Sequence, residues 1–313
     1  MYSRWRTWSH QARPIGWQQL PKVAGASGRA LPQTAGLVLI VLGLAHCSSS
    51  SGAPPQPPLQ VRTQSANQTF FDDFDALSFD SWPLITPSST FGRGGPNMVE
   101  EGDQWWTNPF TPETSIDVGA LYSTSNGQLH LGLLPTPPEM AAYIRSNAGT
   151  DLPYLGTLLN STPSNNQLFG YREVRVAVDN LPGFAFQACL ESWETAGTWP
   201  PEIDMRINTD ADGVQQIHFQ VDGVGSDPWS AAIDATQMHT YGVDWESDNI
   251  TFYIDRNQVF QVATPQGSYT TNAAYWYLLT AANYIDPNRT DPDPSARPHA
   301  HVDYVGAWDG LPF

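Results

Sequence analysis

From about residue 69 onward the chain is a succession of short apolar or alternating runs, each bounded by Gly, Pro, Asn or Asp. Gly127–Leu134, Tyr171–Val178, Gly183–Leu190, Gln216–Val221, His239–Trp245, Ile250–Ile254 and Ala300–Trp308 all have this form. A two-residue period with turn residues at the ends predicts β-strands. Asp255-Arg-Asn-Gln258 lies between two such runs and predicts a hairpin turn. Only Glu139–Asn147 has the character of a helical turn or two. Many short strands at near-regular spacing indicate a sandwich or barrel, and no break divides residues 69–313.

Composition agrees with that reading. The chain has 25 Gly and 27 Pro, only 14% charged residues, and 40% hydrophobic residues, enough for a large core. Charge is unevenly spread. All five basic residues of the first 46 positions (Arg4, Arg6, Arg13, Lys22, Arg29) precede any acid, so the remainder holds 9 basic against 31 acidic residues, a balance of −22. Such a surface repels phosphate backbones, which excludes nucleic acid as a natural partner and suits an uncharged ligand.

The N-terminal 46 residues have the layout of an export signal. A basic stretch is followed by the apolar run Ala35–Ala45, too short to span a bilayer, and by Cys47. Leu44-Ala45-His46-Cys47 resembles a lipoprotein cleavage box, with Cys47 as the lipidated residue. The expected organisation is therefore a signal at 1–46, a Ser- and Pro-rich tether at 47–68 and one domain at 69–313. Membrane association is expected only through the lipid, on an exported envelope or secreted protein. Cys189, the other cysteine, sits in an apolar strand and is expected to be a small core residue.

The chemistry concentrates in Gly197-Thr-Trp-Pro-Pro-Glu-Ile-Asp-Met-Arg-Ile-Asn208. On a strand, Glu202, Asp204, Arg206 and Asn208 share one face, while Ile203, Met205 and Ile207 share the other and are expected in the core. Two carboxylates two residues apart repel, which separates their protonation behaviour. That arrangement suits catalysis by a carboxylate pair. It equally describes an acidic strand facing solvent.

Four segments together resemble glycoside hydrolase family 16. Phe169-Gly-Tyr-Arg-Glu-Val-Arg175 looks like that family's strand of the same pattern. Trp199-Pro-Pro-Glu-Ile-Asp204 looks like its catalytic entry, His239–Glu246 with Ile250–Asp255 like the strand pair that follows, and Val302–Trp308 like its closing strand. The resemblance implies an all-β, concanavalin A-like β-sandwich (jelly roll), with two packed antiparallel sheets and a concave glycan groove. It implies retaining endo-hydrolysis of an extracellular β-linked polysaccharide of the β-glucan or galactan class. Glu202 would be the nucleophile and Asp204 its electrostatic neighbour, with no cofactor required and a monomer expected.

One element of the family pattern is missing. A retaining glycosidase uses a second carboxyl about 5–5.5 Å from the nucleophile to protonate the leaving oxygen. The family places it at 206, or at 207 with a bulge, where this chain has Arg206 and Ile207. Arginine stays protonated and isoleucine holds no proton. Asp210, Asp212 and His218 are the alternatives near that strand, each with an ordinary structural reading as turn formers or a strand histidine. If none serves, the alternative is a non-catalytic carbohydrate-binding lipoprotein. The groove differs too: Phe186-Gln-Ala-Cys-Leu190 replaces the family's Trp-Pro-Ala-Phe-Trp. Trp105, Trp106, Trp193 and Trp199 remain to stack on sugar rings, and His218 to contact substrate. Asp73 and Asp303 resemble positions near a structural calcium in relatives, too few ligands to assert an ion that takes 6–8 oxygens.

Overall fold

The computed structural model describes residues 66–76, 98–101, 104–107, 121–138, 141–142, 145, 153–161, 164–192, 200–222, 229–282 and 291–313, with 98–101 and 104–107 as backbone only. Cys47 and the 1–46 and 47–68 segments expected at the N-terminus fall outside them, except for the last three tether residues. In chain order the strands are β1 (Gln68–Asp72), β2 (Met98–Glu101), β3 (Gln104–Thr107), β4 (Tyr122–Ser125), β5 (Gln128–Gly132), β6 (Leu134–Pro135), β7 (Tyr154–Asn160), β8 (Gly170–Val178) and β9 (Phe184–Glu191). They continue with β10 (Glu202–Thr209), β11 (Gln215–Val221), β12 (Trp229–Ala232), β13 (His239–Trp245), β14 (Asn249–Ile254), β15 (Asn257–Ala263), β16 (Tyr275–Ala282) and β17 (His299–Trp308). The expected helical turns lie partly outside the described residues, but Pro138, Ala141, Ala142 and Arg145 are helical.

Two sheets form the fold. One runs β15-β14-β13-β8-β17-β5-β4, with β1 added on β17; the other runs β12-β11-β10-β9-β16-β7-β3-β2, with β6 added on β7. Pairing is antiparallel apart from β3 against β7, a parallel contact that the expectation of purely antiparallel sheets did not include. Alternation along each strand sends one set of side chains between the sheets. Ile203, Met205 and Ile207 of β10, Phe186, Ala188 and Leu190 of β9, and Ile217, Phe219 and Val221 of β11 meet Val174, Val243, Trp245 and Phe252 of the other sheet in one core.

Turn chemistry fixes the hairpins. Asp255 (φ 49°) and Arg256 (φ 63°) form a two-residue turn between β14 and β15, so the strand resumes at Asn257, earlier than the four-residue turn read from sequence. The Phe169-Gly-Tyr-Arg-Glu-Val-Arg175 segment is structural throughout. Gly170 has φ 93°, and a Cβ there would lie 2.3 Å from the Trp308 carbonyl oxygen. Arg172 is fully buried, its guanidinium on the Gln167 and Phe169 carbonyls and over the Trp245 ring, and burial pushes its pKa down to about 9. Glu173, equally buried, accepts from Tyr171, Tyr304 and Arg256.

Candidate active site

The chemistry-bearing strand β10 lies inside the nine-stranded sheet, between β9 and β11. Its register is unbroken: Ile203 to Thr209 pair with Val221 to Gln215, and Glu202 to Asn208 pair with Glu191 to Ala185. With no bulge, the residues that share the outer face with Glu202 are Asp204, Arg206 and Asn208. Ile207 is 1% exposed in the core, so the two alternatives for the missing carboxyl reduce to position 206, an arginine.

The outer face is a small polar network in a buried setting. Asp204 is 3% exposed and Arg206 9% exposed. Gln187 of β9 joins them: its Nε2 donates to Asp204 Oδ1 at 2.9 Å and its Oε1 accepts from Arg206 Nε at 3.1 Å. Arg206 also approaches Asp204 Oδ2 at 3.6 Å. Burial raises the Asp204 carboxyl above its ordinary value and outweighs the lowering by Arg206 and Gln187, with Asp222 adding to the rise. His218 is directly across from Arg206 on β11, and burial together with that guanidinium pushes its pKa down to about 4. It is therefore a neutral imidazole at neutral pH.

The other two alternatives sit in the β10–β11 turn. Asp210 Oδ1 accepts the backbone N–H groups of Asp212 and Val214, each at 2.9 Å, and Asp212 is exposed. Their structural work is turn formation. Cys189 is fully buried, as expected, but not in the core between the sheets. It lies on the outer face opposite Asp204, in a second apolar cluster with Leu158, Tyr275, Tyr277, Leu279 and Ala281, and its thiol donates to Glu191 Oε1 at 3.4 Å. Burial pushes that thiol's pKa well up.

Sequence reading missed several neighbours of Glu202. Glu191 is its partner on β9, and Asp222, the residue after β11, donates its N–H to the Glu202 carbonyl at 3.0 Å. Tyr269, in the single helical turn Ser268–Thr271, fastens this end of the site. Its hydroxyl is 2.9 Å from the Glu202 carbonyl oxygen and 2.6 Å from that of Asp222, and accepts from the Glu202 N–H at 3.2 Å. The signal for Gln187 and Glu191 was the alternation of β9, which turns them to the side opposite Phe186, Ala188 and Leu190. Of the aromatic residues proposed for sugar stacking, Trp193 and Trp199 lie outside the described residues. Trp105 and Trp106 are described only as backbone, in β3.

Asp303, on a bulge of β17, is paired with the Arg175 guanidinium, and Asp73 is exposed. Among the described residues no group of three or more His, Cys, Asp and Glu side chains is placed to hold a metal.

Comparisons with known proteins follow the same lines. Endo-1,3-1,4-beta-glycanase ExsH of Rhizobium meliloti (strain 1021) is 28% identical over 209 residues, 64% of this chain and 43% of that protein. Endo-1,3-1,4-beta-glycanase EglC of the same organism is 27% identical over 210 residues, 63% of this chain and 43% of that protein. The chain thus spans less than half the length of these relatives. Among solved structures, the non-specific endo-beta-1,3(4)-glucanase SCLam superposes with a TM-score of 0.56 at 19% identity, over 78% of this chain and 91% of that one. The Bacillus licheniformis beta-glucanase gives 0.53 at 19% identity, over 79% and 99%. These structures carry the fold alone. The family model for glycosyl hydrolases family 16 matches residues 121–288, more than half of the chain and the whole of β4 to β16. A family model that matches more than half of the chain shows that this chain belongs to family 16 of the glycosyl hydrolases.

Proposed function

We propose that the protein is a retaining endo-hydrolase of β-linked glucan that works on the outer face of the nine-stranded sheet, with Glu202 as nucleophile. The observation that carries this reading is the placement of Glu202 and Asp204 side by side on that face, away from the core, with Asp204 held by Gln187. Glu202 attacks the anomeric carbon while Asp204, beside it, keeps the local field and hydrogen bonding in order. The net acidity of the sequence beyond residue 46 suits a neutral polymer. The relatives are named endo-1,3-1,4-beta-glycanases, which supports a β-linked polysaccharide with 1,3 and 1,4 linkages as substrate. The working protein is a monomeric, exported lipoprotein, anchored through Cys47 and a 47–68 tether, with 69–313 as its hydrolase domain. Trp105, Trp106, Trp199 and His218 line the path of the chain.

A second reading has one observation in its favour. Arg206 occupies the family's acid/base position and is tied to Asp204 and Gln187. A protein left with that arrangement alone would bind glucan without cutting it efficiently. Incubation with mixed-linkage β-1,3-1,4-glucan separates the two readings. Oligosaccharide release with initial β-configuration by NMR, abolished in Glu202→Gln, is the expected result. Retention on a glucan column without any release of oligosaccharide supports the binding reading instead.

A further inference from the structure

A retaining hydrolase needs a carboxyl group that can lend and recover a proton, and Arg206 cannot. The sheet places two other carboxylic side chains level with Glu202. Glu191 faces it from β9. Asp222 faces it from the end of β11, since the β10–β11 register continues from Ile203 and Val221 to this pair and the Asp222 N–H bonds the Glu202 carbonyl. Side chains directly opposite on antiparallel strands have their Cβ atoms about 4.5–5.5 Å apart and on the same face. That is the scale of separation, about 5–5.5 Å, between the two carboxyls of a retaining glycosidase.

We propose, resting on the hydrolase reading above, that Asp222 is the acid/base partner of Glu202, so that the proton donor has moved from along β10 to across the sheet. In the first step the Glu202 carboxylate bonds to the anomeric carbon, the glycosidic C–O bond breaks, and the departing oxygen takes the Asp222 proton. In the second, water attacks the same carbon, gives its proton to the Asp222 carboxylate, and the ester bond to Glu202 breaks with its electron pair returning to Glu202. Both atoms and charge balance, and Asp222 ends protonated as it began.

Three features favour Asp222 over Glu191. The Tyr269 hydroxyl ties the backbone carbonyls of Glu202 and Asp222 together, fixing the two residues relative to each other. By the alternation of β11, Asp222 shares a face with Gln220, which lies opposite Asp204 on the face that carries Glu202. Glu191, by contrast, is already engaged as acceptor of a hydrogen bond from the Cys189 thiol.

The test compares the full chain with Asp222→Asn and Glu191→Gln on mixed-linkage β-glucan and on a dinitrophenyl β-glucoside oligomer, whose leaving group needs no acid. General acid help is worth about 10²–10⁴-fold. Asp222→Asn is expected to lose polymer hydrolysis by that factor, to keep formation of the glycosyl-enzyme from the aryl glycoside, and to be accelerated by azide with β-glycosyl azide as product. Glu191→Gln is expected to keep polymer hydrolysis and show no azide effect. Unchanged polymer hydrolysis in Asp222→Asn overturns the proposal, as does the azide signature appearing in Glu191→Gln. Wild-type protein that reacts with the aryl glycoside at Glu202 yet leaves polymer intact also overturns it, while sparing the nucleophile. Wild-type protein inert to both substrates removes the hydrolase reading and this proposal together.

Discussion

At the scale of single residues, the site is governed by what burial does to charge. Asp204 keeps a raised carboxyl pKa even with Arg206 3.6 Å away, because removal from water costs the charged form more than the guanidinium returns. Burial, joined by the same guanidinium, pushes the His218 pKa down to about 4. An unfolded histidine titrates near 6.5, so between about pH 6.5 and 4 the unfolded chain binds the extra proton. Stability from this group is complete above about pH 6.5 and falls as the pH drops toward 4. Histidine NMR titration should find His218 near 4, and Arg206→Met should move it upward, because burial remains but the neighbouring charge is gone. An unchanged His218 pKa in that variant contradicts the assigned cause. Position 206 was readable as an arginine from sequence, whereas its partnership was not. Gln187 is an ordinary polar residue in an apolar strand, and only the register of β9 against β10 shows that it links Asp204 to Arg206.

Among elements, β10 positions the site because it is paired on both sides in an unbroken register. The alternation Glu-Ile-Asp-Met-Arg-Ile-Asn already separated the outer face from the core, and Ile203, Met205 and Ile207 are indeed buried. Local sequence could not say whether a bulge would turn position 207 outward, since bulges are decided by pairing with neighbours. Cys189 shows the same limit: its burial was legible, but which face it lies on depended on register. Tyr269 was beyond sequence reading altogether, because it comes from a helical turn 67 residues downstream of Glu202. Its hydroxyl makes the contacts that hold the β10 start to the β11 end. Tyr269→Phe removes them while keeping the buried ring, and the loss of buried hydrogen bonds should cost about 1–3 kcal/mol. Thermal unfolding is expected to show that loss, and hydrolysis to fall in kcat more than in KM. A variant with wild-type melting and turnover would mean that the Glu202–Asp222 pair does not depend on this hydroxyl.

For the molecule as a whole, the two sheets of the family 16 fold belong to a chain whose first 46 residues carry only basic charge. The strands with local alternation and turn residues, the core face of β10 and the family motifs were legible, whereas β7 and β16, buried at every residue, were not read as strands. The neighbours of Glu202 were not, because cross-strand pairing brings residues 191, 202 and 222 together from separate segments and Tyr269 joins them through its hydroxyl. At the N-terminus, lipidation at Cys47 predicts that the protein fractionates with membranes and that Cys47→Ser is released in soluble form; unchanged membrane association of that variant counts against the anchor. The role of Glu202 is tested most directly by trapping. Protein incubated with a dinitrophenyl 2-deoxy-2-fluoro-β-glucoside oligomer, digested and mapped by mass spectrometry, should carry one glycosyl adduct on the peptide containing Glu202, absent in Glu202→Gln. No adduct, or an adduct on another carboxylate that persists in Glu202→Gln, would contradict it.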